Sequence, residues 1–234
     1  MSDTTVQNSQ RFVWPVCIAF WGLAVVLLYI RTLSYGFATE PDACSAEDAQ
    51  WPDGTAVSRS SEQLTLLLFV HPRCSCTRAS VQELSRVLSR TKQLPAVRVI
   101  ASCPRNATRE WRESSIVADA AALPNAALID DAWGAESARF GAVVSGTVIV
   151  FSQGGSRLFS GGVTSSRGHT GVSTGGQMLL AVLNGEAARQ QAAAPVFGCR
   201  LCLPTEGRRS PRSVRRSGSP GIPEPAGLSI TETQ

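Results

Sequence analysis

Two cysteines, Cys74 and Cys76, stand one residue apart in HPRCSCTR (71–78), with His71 and Arg73 just ahead of them. A thiol does its chemistry as thiolate, which attacks disulfides and ligates soft metals. The elements around these residues decide whether thiolate is favoured. Residues 64–70, LTLLLFV, carry six large apolar side chains in seven positions. That is the pattern of a strand buried on both faces. Residues 76–90 place Ala79, Val81, Leu84, Val87 and Leu88 at mostly three- and four-residue steps, which predicts an amphipathic helix. The cysteines therefore fall where a central strand hands over to a helix. Unpaired backbone N–H groups and the positive end of the helix dipole stabilise thiolate there. Arg73 and Arg78 add positive charge, and Pro72 discourages an earlier helix start.

Three chemistries fit the turn. A redox dithiol is the first. A Cu(I) or similar soft-metal site from Cys74, Cys76 and His71 is the second, since two thiolates and an imidazole suit such an ion. Buried thiols acting as small hydrophobes are the third. Spacing constrains the first: residues at i and i+2 do not share a helix face. A Cys74–Cys76 disulfide thus needs Cys74 in the non-helical turn, and so tight a ring would be easily reduced.

Other residues are candidate accessories. Cys199 and Cys202 in FGCRLC (197–202) have CxxC spacing. A zinc site would want two more ligands; a second redox pair, or one that reaches back to the first, fits equally. Cys103 follows VRVIA (97–101), a β-rich run, and is expected near the same sheet edge. Arg167 and His169 in SSRGHTG (165–171) would line the cleft as an anion or proton-transfer site, or lie in a solvated loop.

The rest of the chain supplies a frame. Residues 108–123 read as one helix, 126–130 as a short strand and 135–142 as a short helix. TVIVF (147–151), a Gly-containing turn and SRLFSG (156–161) read as an antiparallel hairpin. A glycine-rich stretch (161–176) leads to a last helix in QMLLAVLNG (177–185). The order β-α-β-α-β-α-β-β-α predicts a mixed sheet with helices on both faces, an α/β/α sandwich. A site in such a sheet is expected beyond the carboxyl end of a central strand, where HPRCSC lies.

Outside this domain, residues 12–30 hold 19 positions without a charge, enough for about 28 Å of helix. The run exceeds a signal peptide's apolar core, so it is read as an uncleaved transmembrane anchor behind a short tail (1–11). A cleaved signal, ending near Gly36-Phe37-Ala38, is the alternative. Residues 31–61 are read as a linker, 62–190 as the domain, 191–203 as a segment bearing the CxxC pair, and 204–234 as a disordered tail. Net charge is +4, and five of the 22 basic residues lie in residues 208–216. The remainder is close to neutral and gives no argument for a nucleic-acid partner. One arginine flanks each side of the apolar run, so orientation is set by the usual outcome for an early anchor: domain exported, in the periplasm.

The strand, Cys-bearing turn and amphipathic helix resemble the thioredoxin fold. LPNAALIDDAWGAESARFGA (123–142) and the following hairpin resemble the second half of that fold in membrane-anchored proteins of the TlpA type. FVHPRCSCTR (69–78), FGAVVSGTVIVF (140–151), FSGGVTSSRGHTG (159–171) and PVFGC (195–199) are similar to bacterial RedB-like proteins, over roughly residues 10–203. The resemblance implies a membrane-anchored thiol–disulfide oxidoreductase of the bacterial cytoplasmic membrane, with protein thiols or disulfides as partners and no cofactor. Cys74 would attack and Cys76 resolve, or the reverse. His71 and Arg73 would tune their acidity, and Cys199 and Cys202 would relay electrons. Copper binding by the same thiols, and a non-catalytic domain that binds a partner through the Gly-rich cleft, are the alternatives. The chain departs from ordinary thioredoxins twice: CxC replaces CxxC, and Gly146 stands where they carry a cis-proline.

Overall fold

The computed structural model describes residues 3–37, 50–104, 107–186 and 192–201. The elements are α1 (Asp3–Phe37), β1 (Thr65–Val70), α2 (Ser75–Leu88), β2 (Ala96–Cys103), α3 (Arg109–Arg112), α4 (Ser115–Ala121), β3 (Ala126–Ala132), α5 (Ala135–Arg139), β4 (Val148–Phe151), β5 (Arg157–Gly161), α6 (Thr174–Leu183) and β6 (Ala192–Ala193). They build one mixed sheet in the order β3-β2-β1-β4-β5-β6. β1, β2 and β3 run parallel, while β4 is antiparallel to both β1 and β5.

β1 is central, and its side chains alternate between two cores as a strand's must. Leu66, Leu68 and Val70 join Val81, Leu84 and Leu88 of α2, Val117 of α4 and Leu179 of α6 on one face. Leu67 and Phe69 join Ile100, Phe140, Ile149 and Phe151 on the other. The mixed sheet with helices on both faces, expected from the sequence, is what the chain forms.

Three details differ from the sequence reading. The helix expected over 108–123 is two helices. Ser114 caps the second, its hydroxyl accepting the Val117 N–H at 3.3 Å. The break lets the Trp111 indole donate to the Ser102 carbonyl at the end of β2 (2.8 Å). The second difference concerns the linker expected over 31–61. α1 runs on to Phe37, and residues 50–61 pack on the domain. Trp51 meets Phe140 and Phe151 edge-on at 5.2 and 5.0 Å, and Val57 is buried. Third, residues 192–193 add a sixth strand beside β5, so the C-terminal segment is docked on the domain.

Within α1, residues 14–37 form a helix long and apolar enough to cross a membrane, with a mean hydropathy of 2.1 in its best window. None of that window is buried against protein. Thr32 and Ser34 turn their hydroxyls onto the Leu28 and Ile30 carbonyls, both at 2.8 Å, which hides two polar groups on an apolar rod. Length and composition are what this helix shows, and a signal sequence has both. The tail expected over 204–234 lies outside the described residues.

Candidate thiol site

β1 ends at Val70, and the next four residues turn into α2. The Cys74 N–H donates to the His71 carbonyl (3.1 Å), and the Thr77 N–H donates to the Cys74 carbonyl (3.0 Å). Cys74 is the last extended residue before the helix, at φ −101° and ψ 112°. Cys76 already lies inside α2. The two therefore leave the backbone in different directions, as the i, i+2 spacing requires.

The thiol partner of Cys74 comes from the far end of the chain. Cys199 Sγ lies 2.8 Å from Cys74 Sγ. That is a hydrogen-bonded approach, closer than ordinary sulfur contact and longer than a disulfide bond of about 2.05 Å. Backbone bonds hold Cys199 on both sides. The Ser145 N–H donates to the Cys199 carbonyl (2.8 Å), and the Leu201 N–H donates to the Val143 carbonyl (3.0 Å). Leu201 is buried in the second core. This docking needs glycine: a Cβ on Gly198 would lie 1.9 Å from the Ser145 carbonyl oxygen.

Ser145 is the hub. It is fully buried, and its hydroxyl accepts the His71 N–H at 2.8 Å and pairs with the Thr77 hydroxyl. The next residue, Gly146, has φ +89° and donates its N–H to the Phe69 carbonyl at 2.7 Å. It is the residue that the sequence resemblance sets at the thioredoxin cis-proline position, and the described residues hold no cis peptide bond.

The electrostatics separate the three thiols. Burial pushes the Cys74 pKa up, but hydrogen bonds from the Cys199 thiol and from the Thr77 hydroxyl and backbone outweigh it. The net effect is a Cys74 thiol more acidic than usual. Cys199 moves the other way, to about 12, because it is desolvated and shares its hydrogen bond with Cys74, with the charges of Cys74 and Cys76 adding to the rise. Cys76 is also raised, first by burial and then by the Cys74 charge. Arg167 opposes the last two shifts, since its positive charge favours thiolate at Cys76 and Cys199. In the reduced protein the first proton to leave the trio therefore leaves Cys74.

The other residues singled out in the sequence lie around this pair or away from it. His71 packs edge-on against Trp111 at 5.1 Å, and its Nδ1 accepts the Arg73 N–H at 3.3 Å. Burial, then the Arg73 charge, favour its neutral form. Arg73 itself is exposed and lies over the Trp111 ring at 5.1 Å. Arg167 donates through Nη1 to the Gly198 carbonyl, beside Cys199. Its backbone N–H meets the Gly36 carbonyl (3.1 Å) and its guanidinium lies 5.0 Å over Tyr35, both near the end of α1. His169 is exposed, and its hydrogen bonds, to Ser166 and Arg167, stay within its own loop. Cys103 is buried at the last position of β2 with its thiol turned to the Pro104 carbonyl at 3.9 Å. Cys202 lies outside the described residues. Among the described residues no group of three or more His, Cys, Asp and Glu side chains is arranged to hold a metal ion.

Sequence reasoning missed Thr77, Ser145 and Trp111 as parts of the site. Thr77 reads as one polar residue in an amphipathic helix. Ser145 is flagged only by its neighbour Gly146.

No family model and no curated protein matches this chain. It is similar to a hypothetical protein from Sinorhizobium meliloti 1021, at TM-score 0.51 and 18% identity, over 67% of this chain and 95% of that one. An uncharacterised conserved protein from Geobacillus kaustophilus aligns at TM-score 0.49 and 19% identity, over 72% and 94%. A secreted Mycobacterium tuberculosis disulfide oxidoreductase homologous to E. coli DsbE aligns at TM-score 0.37 and 15% identity, over 60% and 99%. The likeness to the Sinorhizobium protein is one of fold. At such identities likeness speaks for fold alone, and fold does not assign chemistry.

Proposed function

We propose that this chain is a thiol–disulfide oxidoreductase whose redox pair is Cys74 and Cys199. One observation carries the reading: the 2.8 Å approach of two sulfurs of opposed acidity, Cys74 lowered and Cys199 raised. Two-electron oxidation of that pair gives a disulfide with little movement of either backbone. Cys76, the partner expected from the CxC spacing, becomes a third thiol beside the pair. The resemblance to RedB-like and TlpA-type proteins agrees with this role. So does a domain exported to the periplasm behind an anchor in residues 12–30, where oxidising conditions keep disulfides in use. Protein thiols or disulfides are the proposed partners, and no cofactor takes part.

Disulfide mapping of the purified full chain tests this. After equilibration with glutathione redox buffers, alkylation and peptide mass spectrometry should find Cys74 linked to Cys199, with a defined midpoint. Cys74→Ser and Cys199→Ser should abolish the transition, and Cys76→Ser should keep it. A reversible Cys74–Cys76 disulfide with Cys199 free would refute the pair. Binding of about one Cu(I) per chain, lost in Cys74→Ser and Cys76→Ser alike and with no redox transition, would favour the metal-binding reading.

A further inference from the structure

The proposed Cys74–Cys199 pair is unequal in access, and the direction of attack inferred from that inequality rests on the pairing itself. Cys74 is 1% exposed, at the N-terminal end of α2. Cys199 is half-buried on the outer, C-terminal segment. Thiol exchange requires the attacking sulfur to approach one disulfide sulfur while the other leaves. From outside the domain, Cys199 Sγ is the sulfur that can be approached. Negative charge arriving on Cys74 would be met by the Thr77 hydroxyl and backbone. Arg167, anchored on the Gly198 carbonyl, sets a positive charge beside the sulfur under attack.

We propose that a protein dithiol forms its mixed disulfide on Cys199, so that the C-terminal segment 192–201, and not the HPRCSC turn, carries the covalent intermediate. The partner's thiolate attacks Cys199 Sγ, the Cys74–Cys199 bond breaks, and its electron pair passes to Cys74 as the leaving thiolate. The partner's second thiolate then attacks the partner's own sulfur in the mixed disulfide and expels Cys199. Two electrons move from partner to pair. Of the two protons released, one goes to Cys199 and the other to solvent. The oxidised partner leaves with a disulfide.

The test uses the full chain, once as wild type and once with Cys76→Ser and Cys202→Ser to remove competing thiols. Each is oxidised with diamide, exposed to excess glutathione as a monothiol probe, quenched in acid and peptide-mapped. The inference expects glutathione on Cys199 at least about tenfold over Cys74, because the leaving group and the accessible sulfur both select that direction. Glutathione on Cys74, comparable labelling of both, or reduction with no Cys199 adduct overturns it while leaving the pair intact. If oxidation yields no Cys74–Cys199 disulfide, the pairing itself fails, and this inference fails with it.

Discussion

Cys74 owes its acidity to hydrogen bonds that outweigh its own burial. A consistent proton order runs inward: His71 N–H to the Ser145 hydroxyl, Ser145 to Thr77, and Thr77 to the Cys74 sulfur. Removing the last donor should make the thiol less acidic. Thiolate absorbance near 240 nm, titrated in Thr77→Val against the parent with Cys74→Ser as blank, should move to higher pH; an unchanged midpoint would remove Thr77 from the site. Stability follows by linkage. Cys74 has a folded value below its ordinary 9.0, so its contribution is full above 9.0 and is lost as pH falls through the folded value. For Cys199 the folded value is raised, so ionisation begins to cost stability above 9.0 and does so until about 12. The urea midpoint of the reduced parent should therefore gain on that of Cys74→Ser as pH climbs toward 9. A gap that is flat with pH would contradict the thiolate assignment.

At the scale of elements, the site depends on how the segment 192–201 is laid down. Glycines let it lie close: a Cβ on Gly161 or Gly162 would come within 2.5 and 2.7 Å of its backbone. Gly198→Ala should displace Cys199 and abolish the Cys74–Cys199 disulfide on a non-reducing peptide map, while far-ultraviolet circular dichroism stays nearly unchanged. Ser114→Ala, which removes the cap of α4, should cost about 1 kcal/mol in denaturant unfolding and leave the thiols untouched. These elements also show what the sequence could disclose. β1 and α2 were legible because burial imposes a period, all-apolar for a doubly covered strand and three-to-four for a helix face. The hand-over at Cys74 followed from them. The approach of Cys199 was not legible. It spans 125 positions and is made by backbone bonds and glycine contacts, neither of which leaves a periodic trace. The break at Ser114 was hidden for a different reason, since a single capping serine interrupts no apolar pattern.

At the scale of the molecule, the domain begins earlier than its strongest patterns do. Trp51 and Val57 pack in the second core, so a chain begun at residue 62 should be less stable than one begun at residue 50 by about 2–4 kcal/mol, read by urea unfolding. Equal stability would return residues 50–61 to the status of linker. If the protein is anchored as proposed, carbonate at high pH should leave the full chain in the membrane pellet; release into the supernatant at a reduced mass would mean that α1 is a removed signal. The same integration of parts bears on the loop at Gly146. Gly146 holds φ at +89°, gives its N–H to Phe69, and has the Ser80 hydroxyl 2.7 Å from where a Cβ would stand. Proline demands φ near −65° and offers no N–H. Gly146→Pro would therefore need both a new φ and the loss of the bond to Phe69 that ties this loop to the end of the central strand.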